Sequence, residues 1–232
     1  MQQTARIDIG RAIAESFAIL KRHPVVLVPM VIAAVLMTLL YEYARRVEFQ
    51  PAFTLHLFLL SLVMLYLAGV LIRMVYDATR GEASLSDAAR VVAGRYGILL
   101  VATILYVLIV GVGTIALIIP GVFLGFKLFY YDYAIVIENA GIIGSLKRGW
   151  EVVRGNWWRT FALNLIFGVP VSFLTFIAEF VPAPGAQILN FVAVLGMGWL
   201  YAAFTIAFLE LAGGGPVVTG PEGLEIQEQD PG

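Results

Sequence analysis

Residues 97–139 read GILLVATILYVLIVGVGTIALIIPGVFLGFKLFYYDYAIVIEN. From Gly97 to Ile118 no residue carries a charge, and from Gly121 to Asn139 only Lys127, Asp132 and Glu138 do. A helix that crosses a membrane needs about 20 mostly apolar residues, because the hydrocarbon layer is about 30 Å thick and a helix rises about 1.5 Å per residue. The stretch therefore predicts two spans, roughly 97–118 and 121–139. Ile119-Pro120-Gly121 divides them, proline removing a backbone donor and glycine permitting a tight reversal. A re-entrant or kinked element is the other reading of this break.

Working outward, four more windows meet the same criterion: roughly 24–42, 54–76, 159–181 and 186–211. The whole chain agrees in composition. Of its 232 residues 60% are hydrophobic and 13% charged, against about 45–50% and about 25% in soluble domains. The expected fold is an all-α polytopic membrane protein, a single domain over 1–212 with six spans. The acidic tail 213–232, rich in Gly and Pro, is expected to be mobile. The chain has no cysteine, which excludes disulfides and thiolate metal sites. The first long apolar run begins at Val25, and before it Ile9, Ile13, Phe17 and Leu20 recur at helical spacing. That pattern predicts an amphipathic interfacial helix leading into a retained span rather than a cleaved leader.

Orientation follows from Lys and Arg, which accumulate in short cytoplasmic loops. Arg6, Arg11, Lys21 and Arg22 precede the first span. Arg73, Arg80, Arg90 and Arg95 flank the second connection, and Lys147, Arg148, Arg154 and Arg159 the fourth. Only Arg45 and Arg46 fall on the opposite side, and Lys127 lies within a span. Both termini are thus expected in the cytoplasm, and the compartment is expected to be a prokaryotic plasma (inner) membrane.

Two cytoplasmic segments align without gaps: SLSDAARVVAGRYG from Ser84 and SLKRGWEVVRGNWW from Ser145. With a weaker copy from Ser16, they suggest a threefold internal repeat of one interfacial helix and two spans. The copy from Ser145 sets Trp150, Trp157 and Trp158 among Lys147, Arg148, Arg154 and Arg159. Tryptophan favours the headgroup level and basic side chains attract anionic lipid, so this set is the candidate lipid or partner surface.

The stretch from Ile118 to Phe167 resembles the membrane domain joined to some glycerophosphodiester phosphodiesterases, and it is similar to YciC-type uncharacterised inner-membrane proteins. The resemblance rests on Pro120-Gly121, on Glu138 and Gly141 after a long span, on Ser145-Leu146-Lys147-Arg148 with Trp150, and on Arg154-Gly155-Asn156-Trp157-Trp158-Arg159. It implies a helical membrane module and no reaction, since phosphodiesterase chemistry in such fusions belongs to a separate soluble barrel.

Ionisable residues inside spans are costly and are functional candidates by default. Lys127 is expected about 9–10 Å along its helix, near the outer side, with Glu179 as partner. Arg73 and Asp77, four residues apart on one helix face, are expected to join Asp132 and Glu210 in one inner network. No serine-hydrolase, zinc-protease or phosphate-loop signature occurs, so no catalytic residue, metal ligand or cofactor is assigned and an enzyme is not expected. Neither is a nucleic-acid partner. Two roles are carried forward. One is a non-catalytic module that organises membrane lipids, anionic phospholipid among them, or an unidentified partner protein. The other is a small transporter using Lys127 and Asp132 in a polar cavity.

Overall fold

A computed structural model describes residues 6–46 and 51–213, and they are helical with no strand among them. The helices are α1 (Ile9–Arg22), α2 (Leu27–Arg46), α3 (Pro51–Ala78), α4 (Leu85–Ala116), α5 (Ile118–Leu128), α6 (Tyr131–Glu138), α7 (Ile142–Val152), α8 (Trp157–Ala178) and α9 (Gly185–Leu211). The side chains of Arg45 and Arg46 and the acidic tail beyond Gly213 lie outside the described residues.

Five segments are long and apolar enough to cross a membrane: Thr54–Ala78, Leu85–Ala116, Ile118–Glu138, Trp157–Ala178 and Gly185–Leu211. A sixth is reached if α1 and the start of α2, bent by 103° at His23-Pro24, count as one broken span. Local chemistry explains the boundaries. Asp8 caps α1 by accepting from the Arg11 N–H at 3.1 Å, and Ser84 caps α4 by accepting from the Asp87 N–H at 3.3 Å. Each side chain satisfies one of the donors that a helix start leaves open. Asn139 ends α6 in the left-handed region at φ 59°, a conformation that asparagine tolerates better than most residues.

Ile9, Ile13 and Leu20 of α1 pack partly buried against the core. Ala12, Ser16 and Ile19 are buried against the bundle, whereas Phe17 is 57% exposed. Ser16 accepts from the Trp199 indole N–H at 2.9 Å, so a polar residue within the helix fixes its rotation on α9. Ile13, Phe17 and Leu20 also line an apolar groove of about 830 Å³ between α1, α2, α8 and α9.

The α4–α5 reversal is tighter than Ile119-Pro120-Gly121 suggested. Leu117 alone leaves helical geometry, with φ −161° and ψ 135°, and Pro120 sits in the first turn of α5, where its missing donor costs no hydrogen bond. Gly121 is needed for contact: a Cβ there would lie 2.1 Å from Thr114 Oγ1 and 2.6 Å from Thr114 Cα.

The two aligned segments do not share local structure. Ser84 caps α4, which runs unbroken through Gly94, while Ser145 is buried inside α7 and Gly155 adopts φ +84° between α7 and α8.

Burial is uneven along the bundle. The main core gathers apolar side chains between Val70 and Ala78 of α3, Tyr130 with Tyr133, Ala134 and Val136 of α6, side chains between Leu200 and Phe208 of α9, and Ile7, Ala12 and Ile19. At the opposite end Leu55 to Leu59, Val107 to Ile119, Val169 to Phe180 and Ile188 keep large apolar side chains exposed. There, Gln187 donates to Glu42 Oε1 at 2.6 Å, tying α2 to α9.

Candidate functional site

The candidate residues fall into two regions. In the first, α7 folds back beside α5 and α6. Its close approach depends on Gly149, where a Cβ would stand 2.9 Å from the Leu128 carbonyl oxygen. This docking brings Trp150 over Lys127, whose Nζ lies 4.9 Å from the ring centre, a cation–π geometry. Trp157 donates from its indole N–H to the Phe123 carbonyl at 3.3 Å and stacks on Phe161 at 5.3 Å, while Trp158 is 73% exposed.

Lys127 therefore turns toward α7 and is buried beneath Trp150. The expected pairing with Glu179 is not formed: Glu179 is the exposed cap at the far end of α8. The basic residues of the same region divide. Arg148 is engaged by Glu138 at 2.8 Å and reaches the Ala212 carbonyl. The Glu138 hydrogen bond raises the guanidinium pKa above its ordinary value. Arg159 donates to the Ile7 carbonyl. Lys147 and Arg154 are exposed.

In the second region the expected inner network separates into local pairs. Arg73 pairs with Asp77 at 3.0 Å within α3 and lies over the Tyr76 ring. Glu210 accepts from the Asp8 N–H at 3.2 Å and stands 3.7 Å from Arg11, which also holds Glu15 at 2.6 Å. Asp132 joins neither, because α6 carries it to the other side of the core, where it lines a cavity of about 150 Å³ with Tyr131 and Tyr201. Tyr131 is fixed by a 3.0 Å hydrogen bond with Thr103 and a 4.8 Å stack on Tyr106.

Sequence reasoning missed the contacts of Arg11 and Asn156 and the place of Tyr201 beside Asp132. Asn156 accepts from the buried Ile7 N–H at 3.3 Å. The available signal was Asn156 directly before a tryptophan pair at a helix start. Nothing in spacing linked Tyr201 to Asp132.

The model of one protein family, described as a domain of unknown function (DUF7847), matches residues 105–213, just under half of the chain. The matched part starts within α4 and contains α5 to α9, hence Asp132, the α7 shelf and the α8 start. Neither a curated protein nor a solved structure matches the chain.

Proposed function

We propose that this chain is an integral membrane module with six spans and cytoplasmic termini, which binds anionic phospholipid headgroups on the shelf formed by α7 and the start of α8. In this reading α2 is the first span and α1 lies in the interface, the 103° bend being the passage between them. The cytoplasmic placement of both termini rests on the bias of Lys and Arg toward the α1, α3–α4 and α7–α8 ends.

The observation that carries the lipid reading is the pair of exposed cations Lys147 and Arg154, with no carboxylate in ion-pair reach among the described residues, beside the exposed Trp150 and Trp158. Indole rings fix headgroup depth, and each nearby basic residue contributes about 1 kcal/mol of attraction to an anionic surface. Arg148 and Arg159 support the shelf from within. The resemblance to phosphodiesterase-linked membrane domains is compatible with a lipid-facing module and supplies no catalytic role.

The test is binding of phosphatidylglycerol, compared with phosphatidylcholine, to the purified protein in detergent. Replacing Lys147 and Arg154 together by Gln should weaken the preference for the anionic lipid by about 30-fold at low salt, from about 1 kcal/mol for each charge. Replacing exposed Arg90 on α4 should leave it unchanged. Equal preference in the double variant and the wild type would remove the proposal.

A further inference from the structure

Span Ile118–Glu138 is interrupted at Phe129-Tyr130, near its middle, where α5 ends and α6 begins. Asp132 stands in the first turn after the interruption. Its hydrogen bond to another residue comes from the adjacent Tyr133 N–H at 2.9 Å, and among the described residues no Lys or Arg is in ion-pair reach. Arg73, one turn beyond Gly69 on α3, is held by Asp77.

The cavity beside Asp132 has about 150 Å³, room for an ion and a few waters at about 30 Å³ each. Its oxygen-bearing side chains are Asp132, Tyr131 and Tyr201, and no hydrogen bond engages the Tyr201 hydroxyl among the described residues. The facing surfaces of α3 and α4, including Leu65, Gly69 and Leu99, are apolar. A carboxylate placed there without a counter-charge is costly. Broken helices at mid-span are also where cations are coordinated, since the break frees backbone oxygens that the lipid cannot satisfy.

We propose that this cavity binds a small monovalent cation of the sodium class, coordinated by the Asp132 carboxylate and the hydroxyls of Tyr131 and Tyr201. Oxygen donors select a hard cation, and a single carboxylate matches one positive charge, whereas calcium takes six to eight oxygens and usually several carboxylates. The site is separate from the lipid shelf and does not depend on it.

The experiment follows thermal unfolding of the full chain in detergent, titrating sodium chloride against N-methylglucamine chloride at constant ionic strength. Binding to the folded state should raise the midpoint saturably, by about 5 °C at a hundredfold excess over the dissociation constant. Asp132→Asn should abolish the rise, and Tyr201→Phe, which removes one oxygen, should shift the half-saturating concentration upward at least threefold. Direct binding of radioactive sodium to the wild type keeps the test decisive if Asp132→Asn fails to fold. No sodium-specific rise together with no direct binding overturns the proposal, leaving a proton to neutralise the carboxylate. An equal rise in Asp132→Asn, or preference for calcium over sodium, overturns it as well.

Discussion

Gly121 and Gly94 show how differently one residue type is used in this chain. At Gly121 a side chain would meet the Thr114 backbone, whereas at Gly94, on the exposed face of α4, a Cβ has nothing within 4 Å. Gly121→Ala should destabilise by about 3 kcal/mol or more, because backbone cannot move aside as a flexible side chain can. Gly94→Ala should be neutral or stabilise by up to about 1 kcal/mol through helix propensity. Thermal unfolding of both variants in one detergent checks the contrast. At this scale the sequence singled out charged residues within apolar runs and assigned several of them the wrong neighbours. Asp132 and Lys127 stood out because charge is rare in an apolar run. Their surroundings depended on the fold-back of α7 and on the break after Leu128, and no residue spacing specifies either. Arg159 looked like a headgroup ligand by its tryptophan neighbours, yet helix rotation turned it to the Ile7 carbonyl.

At the scale of elements, hydrophobic run length was enough to find the long helices, since the thickness of the lipid layer fixes their length. It could not find the interruption at Phe129-Tyr130, which lies inside a continuous aromatic stretch with no proline or glycine to mark it. The docking of α7 depends on a single small residue. Gly149→Ala would set a Cβ 2.9 Å from the Leu128 carbonyl oxygen, which requires a backbone shift costing about 1–3 kcal/mol. The expected outcome is a lifted α7, seen as increased quenching of tryptophan fluorescence by a water-soluble quencher and faster proteolysis between α6 and α8. Gly144→Ala on the same helix, where a Cβ has open space, should change neither.

Across the whole molecule, orientation is a prediction of charge distribution and is open to a direct check. The absence of cysteine makes single-cysteine labelling clean. Ser86→Cys at the start of α4 and Lys147→Cys on α7 should react with a membrane-impermeant thiol reagent only from the cytoplasmic side, and Ala183→Cys between α8 and α9 only from the other. Labelling of Ser86→Cys and Ala183→Cys from the same side would refute the six-span arrangement, because α4 and α9 would then be misplaced across the membrane. Composition and run length made the all-helical class and five long apolar helices legible, the sixth expected span corresponding to a pair bent by 103°. They did not reveal the concentration of the core at one end, which arises from contacts among α1, α3, α6 and α9 that are remote in sequence.

The segment before α1 carries a consequence for how the chain is made. The Ile7 N–H is satisfied by Asn156, 149 residues later, and the Asp8 N–H by Glu210, 202 residues later. At a synthesis rate of about 5–20 residues per second, roughly 10–40 s pass between the appearance of Asp8 and that of Glu210. Through that interval the Ile7 and Asp8 N–H groups must be satisfied by water or by another factor. Closure of this end of the bundle is therefore a late event of biogenesis, and a ribosome stalled before α9 would hold a chain in which the Asp8 N–H still lacks its partner on α9.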